Sequence, residues 1–281
     1  MKKRLAFLTI FASITLLLAA CGTADKETSG SSTAKDSPDT FTVGLEAGYA
    51  PFNWTQLDDS NGGVKIDGNA EYAGGYDVEI AKRIADGLGK ELVIVKTEWD
   101  GLVPSLQSDK IDAIIAGMSP TEERKETIDF SENYYTSNFV MVVKKGGAFE
   151  GATSIQDFSG AKITGQLNTS HYGVIDQIKD VQKQPASDNF SAMRVALESG
   201  VIDGYVSERP EGISASSANA NFAMIEFTDG FKAAEEDTAV AVGLKKDSKL
   251  TEDINKILAE ISEEERQEIM DAAINNQPAA E

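Results

Sequence analysis

The chain has 281 residues, 41% of them hydrophobic and 26% charged, which excludes a disordered polypeptide or a mini-protein and allows one large domain or two lobes with cores of their own. Its 46 acidic side chains against 26 basic ones give a formal charge of −20, which argues against nucleic-acid binding because phosphate recognition needs a basic surface. A single Cys and a single His exclude an intramolecular disulfide and a multi-histidine metal site.

In chain order, residues 1–4 read Met-Lys-Lys-Arg, and Leu5 to Ala20 (LAFLTIFASITLLLAA) carry no charge, the layout of a signal peptide over residues 1–20. The apolar run is shorter than the roughly 20 residues that span a bilayer. Leu18-Ala19-Ala20-Cys21 is similar to the bacterial lipobox, which implies cleavage before Cys21 and diacylation of its thiol. Losing Lys2, Lys3 and Arg4 but no acid would move the charge to about −23. Residues 21–40 are small and polar after the cysteine, the composition of a flexible tether with a reach of about 25 Å.

From Phe41 the pattern alternates: strand-like FTVGL, helix-like YDVEIAKRIADGLG, strand-like LVIVK, helix-like LVPSLQS and strand-like IDAIIAGM. That is the βαβ signature of a parallel sheet covered by helices, an α/β fold. In the first helix Ile80, Ile84 and Leu88 recur behind Asp77, read as the N-cap, and Gly89 closes it. Residues 105–120 (SLQSDKIDAIIAGMSP) and 196–210 (ALESGVIDGYVSERP) form a weak internal repeat: helix end, turn, Ile-Asp, short strand, polar loop ending in Pro. Two similarly built lobes would place loops 117–120 and 207–210 at the carboxyl ends of strands, where open α/β sheets bind ligands. Near the end, Ile254, Ile257, Leu258 and Ile261 form one apolar face, and Ser262 with Glu265 reads as a capping box ahead of Ile269, Met270 and Ala273.

Val43-Gly44 through Tyr49-Ala50-Pro51-Phe52, Gly75-Tyr76-Asp77, Trp99-Asp100-Gly101-Leu102-Val103-Pro104-Ser105-Leu106, Ile111-Asp112-Ala113-Ile114 and Gly117-Met118-Ser119-Pro120-Thr121-Glu122-Glu123-Arg124 together resemble the family 3 extracellular solute-binding proteins, over residues 41 to about 275. The resemblance implies a type II periplasmic-binding-protein-like clamshell with two hinge crossings, near Asn138 to Val140 and near Thr238. Lobe 1 is then 41–138 plus 239–281, and lobe 2 is 139–238. It further implies a monomeric receptor that closes on a free amino acid, presents it to an ABC permease, and uses no cofactor, metal or catalytic residue. The lipobox adds anchoring through Cys21 on the extracellular face of the cell membrane, in a bacterium without an outer membrane.

By the same resemblance Arg124 grips the ligand carboxylate, since a guanidinium fork makes two parallel bonds to it. Gly117 and Ser119 line the same loop. In lobe 2, Thr169 and Ser170 precede the helix-like HYGVIDQI, and the family usually carries Gly where this chain has Asn168. The ammonium acceptor falls on Glu208, with Arg209 as its competing partner and Glu235, Glu236 and Asp237 as another acidic source. In relatives that take cationic amino acids an acid and two rings hold the side chain; Glu46, Tyr49 and Trp99 match, which favours arginine or lysine over glutamine, histidine or an aromatic amino acid. Phe52 is expected in the core, and His171 in a loop near the pocket. The competing class, a prephenate-type dehydratase on the same scaffold, needs a placed acid and more cations than these loops supply.

Overall fold

A computed structural model of the chain describes residues 39–278. The signal segment, Cys21 and all of the tether before Asp39 lie outside the described residues. Strands β1 (Thr40–Leu45), β6 (Glu91–Lys96), β7 (Ala113–Ile114), β8 (Asp129–Thr136) and β14 (Ala239–Leu244) form the first five-stranded sheet, in the order β6-β1-β7-β14-β8. The second, in the order β11-β10-β12-β9-β13, is built from β9 (Phe139–Lys144), β10 (Lys162–Thr164), β11 (Gln182–Lys183), β12 (Gly204–Glu208) and β13 (Phe222–Ile225). A small antiparallel sheet, β2 (Gly48–Tyr49), β3 (Asn53–Gln56), β5 (Tyr72–Gly74) and β4 (Val64–Lys65), sits on the first lobe and had no separate signal in the sequence pattern. The fold is α/β with two lobes. The chain passes from the first sheet to the second between Thr136 and Phe139 and returns between Ile225 and Ala239.

Both large sheets follow one plan: three parallel strands with the first in the middle, then an antiparallel strand contributed from across the lobes. The repeat seen in the sequence is the third strand of each. Asp112 and Asp203 occupy equivalent corners. The backbone N–H of Asp112 donates to Thr42 and its carboxylate accepts from the Thr42 N–H at 2.8 Å; Asp203 does the same with Lys162, also at 2.8 Å. The preceding Ile111 and Ile202 are buried in both cases. Each Ile-Asp pair therefore fastens a strand start to its neighbour, which is why the dipeptide recurs.

Helix α1 (Tyr76–Leu88) buries Tyr76, Val78, Ile80, Ala81, Ile84 and Ala85, and Gly89 ends it in the left-handed conformation with φ 65°. Its N-cap is Gly75, not Asp77. A side chain at Gly75 would come within 2.4 Å of the Phe52 carbonyl oxygen, and its φ of 118° is open to glycine. Asp77 has turned inward. Its carboxylate accepts from the Tyr134 hydroxyl at 2.7 Å and Asn53 Nδ2 at 2.8 Å, and from the Gly117 backbone, in full burial. Three segments of lobe 1 are thereby tied to one group, and burial holds its carboxyl up at about 6. Replacing Asp77 with Ala leaves these three buried donors unpaired; we expect about 3 kcal/mol of stability lost in urea unfolding, and a loss under 1 kcal/mol would refute the structural role.

The remaining helices close the layers. Helix α2 (Leu102–Gln107) and α3 (Glu122–Lys125) belong to lobe 1; α4 (Ser170–Gly173), α5 (Phe190–Ser199) and α6 (Arg209–Ala218) flank the second sheet, and α7 (Glu235–Thr238) lies on the return connection. Helices α8 (Leu250–Glu260) and α9 (Glu263–Asn276) are the two closing helices. Ser262 caps α9 by accepting from the Glu265 N–H at 3.2 Å. The other half of the expected capping box is spent elsewhere, because the Glu265 carboxylate takes an ion pair from Arg83 on α1.

Candidate functional site

The carboxyl ends of β1, β7, β10 and β12 feed loops that meet between the two large sheets. Glu46 follows β1, Gly117 to Arg124 follow β7, Gln166 to His171 follow β10, and Glu208 is the last residue of β12. A small cavity there is lined by Tyr49, Trp99, Gly117, Ser119, Arg124, Gln166, Thr169, Ser170 and His171. Seven of the nine predicted site residues thus line it, and the other two, Glu46 and Glu208, are joined to its walls through Gln166 and Tyr49.

Arg124 lies on the one-turn helix α3, whose N-cap Thr121 accepts the Arg124 N–H. Its guanidinium is half-buried, with Nη1 donating to the Ser119 carbonyl and Nη2 to the Asn168 carbonyl, each at 2.8 Å, and Cζ 5.1 Å from the Trp99 ring centre. Burial pulls its pKa down to about 10, so it stays charged at neutral pH. Asn168 adopts φ 56°, in the left-handed region. Asn is one of the few non-glycine residues enriched there, which explains how it stands where the family usually has Gly. Its side chain donates to Asp100 at 2.9 Å, so this loop holds lobe 1 twice.

Glu46 is 7% exposed; Oε2 accepts from Gln166 Nε2 at 3.2 Å and Oε1 has no partner among the described residues. Burial raises its pKa to about 7, the Gln166 bond opposing and Glu98 and Asp100 adding to the rise. Glu208 is 4% exposed; Oε1 accepts from the Tyr49 hydroxyl at 2.5 Å, and Oε2 is unpartnered among the described residues. Its pKa is pushed up to about 8 by burial, with Tyr49 drawing it down and Asp77 and Glu211 driving it up. The neighbouring Arg209 turns away and pairs with Glu226 at 2.8 Å. Arg209 therefore does not compete for Glu208, which stands behind the cavity wall on Tyr49.

Tyr49 stacks on Phe52 (ring centres 5.0 Å, 21°) and on Phe190 from α5 (4.4 Å, 22°). Phe52 is fully buried, in the core as expected, and Trp99 is half-buried. Gly117 has φ 62°, and a Cβ there would lie 2.7 Å from the Tyr49 ring, so only glycine lets the loop approach this close. The Ser119 and Ser170 hydroxyls both donate to the Asp237 carbonyl, at 3.2 and 3.1 Å. Of the acidic run it is therefore a backbone oxygen that reaches the cleft. The Asp237 carboxylate instead accepts the Ala234 N–H. Thr169 donates to the Gln166 carbonyl at 2.7 Å and makes no side-chain cap; the helix-like HYGVIDQI is helical through Gln177, as the single α-turn α4 followed by a 3-10 helix over Val174–Gln177.

Gln166 and Phe190 escaped the sequence reading. A glutamine in a polar loop carries no burial signal, and an aromatic at a helix start reads as ordinary core. His171 was expected in a loop; it lies in α4, 6% exposed, on the cavity wall.

Glu46, Asp77 and Glu208 all bind protons more tightly folded than unfolded. Ionising them in the folded state is therefore unfavourable, and stability falls as pH rises from about 4.5 through 8. In the absence of ligand the melting temperature is expected to decline over that window, and less steeply in Glu208→Gln. Identical slopes would refute the burial of this charge.

The description "Bacterial extracellular solute-binding proteins, family 3" matches residues 41–275. The chain is 30% identical over 277 residues to the arginine-binding extracellular protein ArtP of Bacillus subtilis, covering 93% of each chain. It is also 30% identical to the ABC transporter glutamine-binding protein GlnH of Bacillus subtilis, over 98% of this chain and 97% of that one. Among solved structures, the substrate-binding protein AbpA of an amino acid ABC transporter from Streptococcus pneumoniae, bound to L-arginine, superposes with a TM-score of 0.72 at 27% identity, covering 85% of this chain and 95% of that one.

Proposed function

Since the chain belongs to the bacterial extracellular solute-binding proteins, family 3, we propose that it is the substrate-binding component of an ABC importer and captures a free cationic amino acid, arginine or lysine, between its lobes. The observation that carries this is the pair of buried carboxylates, Glu46 and Glu208, each with one oxygen unpartnered among the described residues beside a cleft that also holds Arg124. A basic amino acid brings two cations and one carboxylate, the complement of that set, and burying such charges requires a partner for each. Glu208 takes the ammonium, Arg124 the carboxylate, and Glu46 the side-chain cation, with Trp99 supplying an aromatic face. Gly117, Ser119, Thr169 and Ser170 line the carboxylate end.

Lobe 1 is residues 41–138 plus 239–281 and lobe 2 is 139–238, with the two connections as the hinge. Closure then joins Tyr49 to Glu208, Glu46 to Gln166 and Arg124 to Asn168, and the closed form is what a membrane permease recognises. A thermal-shift screen of the purified protein against the common amino acids tests the reading: arginine or lysine should raise the melting temperature by mass action, and no shift with any amino acid would end it. Anchoring is assigned to Cys21; labelling with a radioactive fatty acid should mark the protein and leave Cys21→Ser unmarked, whereas a labelled Cys21→Ser protein refutes that anchor.

A further inference from the structure

His171 is the most conspicuous polar side chain that the reading above does not use. It is 6% exposed on the cavity wall, and neither ring nitrogen has a hydrogen-bond partner among the described residues. Its ring is held edge-on between Phe139 (5.3 Å, 74°) and Phe190 (6.0 Å, 90°), so the imidazole is fixed by packing rather than by its own nitrogens. Nε2 stands 3.7 Å from Glu208 Oε1, beyond hydrogen-bond reach, and the other Glu208 oxygen is unpartnered as well. Burial and the nearby Arg124 charge hold the imidazole pKa down at about 3, which leaves one nitrogen lone pair available at neutral pH. Two unpaired buried nitrogens are costly for the protein alone, and a native site that keeps them calls for an explanation.

We propose that His171 is a ligand-contact residue whose imidazole accepts one N–H of the amino acid's ammonium while Glu208 accepts another and neutralises its charge. This rests on Glu208 being the ammonium acceptor. A primary ammonium has three N–H donors, and Glu208 Oε2 with His171 satisfies two of them from one side of the cleft. The pair thereby requires two N–H donors, which an Nα,Nα-dimethyl amino acid lacks. Dimethylation leaves one donor and places a methyl group against His171 or Glu208. Because every free primary amino acid carries the same ammonium, the contact acts on affinity in general and leaves side-chain preference unchanged.

The test is His171→Phe, which keeps the ring between Phe139 and Phe190 and removes both nitrogens, with His171→Asn as a variant that keeps an acceptor. Calorimetric dissociation constants are measured for L-arginine, L-lysine, L-glutamine and Nα,Nα-dimethyl-L-arginine. The expected result is a loss of about tenfold or more for every primary amino acid that the wild type binds, by the same factor for each, and a smaller loss in His171→Asn. The His171→Phe protein should discriminate less against Nα,Nα-dimethyl-L-arginine, and its ligand-free melting temperature should be unchanged or higher. Unaltered affinity in His171→Phe, or a loss confined to arginine and lysine, overturns the contact while leaving the amino-acid reading intact. Wild-type protein that binds none of the four overturns that reading and this inference together.

Discussion

Arg124→Ala is expected to weaken amino-acid binding by about a thousandfold, for cationic and neutral ligands alike. Truncation leaves the ligand carboxylate without its cation in a cleft closed by two lobes, and removing one partner of a buried charge pair costs about 3–5 kcal/mol. The guanidinium also spends Nη1 and Nη2 on the Ser119 and Asn168 carbonyls, so the variant loses a bond between lobes in addition to the ligand contact. Arg124→Lys should recover only part of the affinity, since an ammonium cannot reproduce the planar fork while stacked on Trp99. Calorimetry decides it. Retention of binding within threefold in Arg124→Ala would remove this residue from the site.

Glu46→Gln is expected to separate ligands by charge. An amide at this position no longer neutralises a side-chain cation, so arginine and lysine should lose about a hundredfold, while glutamine changes by less than about threefold. The pH dependence carries the same sign. Without ligand, burial raises Glu46 to about 7 and Glu208 to about 8, so both are partly protonated at neutral pH. An arriving cation favours the ionised forms and expels protons. Affinity for arginine should therefore climb as pH rises from 6 to 8, and the climb should be shallower in Glu46→Gln. Equal losses for arginine and glutamine in this variant would remove Glu46 from the role of selector.

How much of this was readable in advance depended on whether the cause was local. The β1-α1-β6 unit follows from alternation and from the fourfold spacing of Ile80, Ile84 and Leu88, and the structure builds it with those residues inward. The Ile-Asp repeat was also legible, because Asp112 and Asp203 make the same backbone exchange at the same corner of each sheet. Asp77 was misread: a carboxylate at a helix start has the same sequence whether it caps the helix or turns into the core, and only Tyr134 and Asn53, brought in from other segments, decide between them. The site divides the same way. Arg124, Glu46 and Glu208 sit in recognisable motifs at strand ends. Gln166 and Phe190 meet Glu46 and Tyr49 only where the two lobes come together, and His171 is packed by Phe139 and Phe190 from distant parts of the second lobe, which no local pattern encodes.

The central claim is that two buried carboxylates receive the two cations of one basic amino acid. Calorimetric titration with L-arginine at pH 7, repeated in buffers of different ionisation enthalpy, tests it most directly. The account predicts a single site with micromolar or tighter affinity, and an observed heat that varies with the buffer in the sense of protons released to it. Absence of arginine binding, or binding with protons taken up from the buffer, would contradict it.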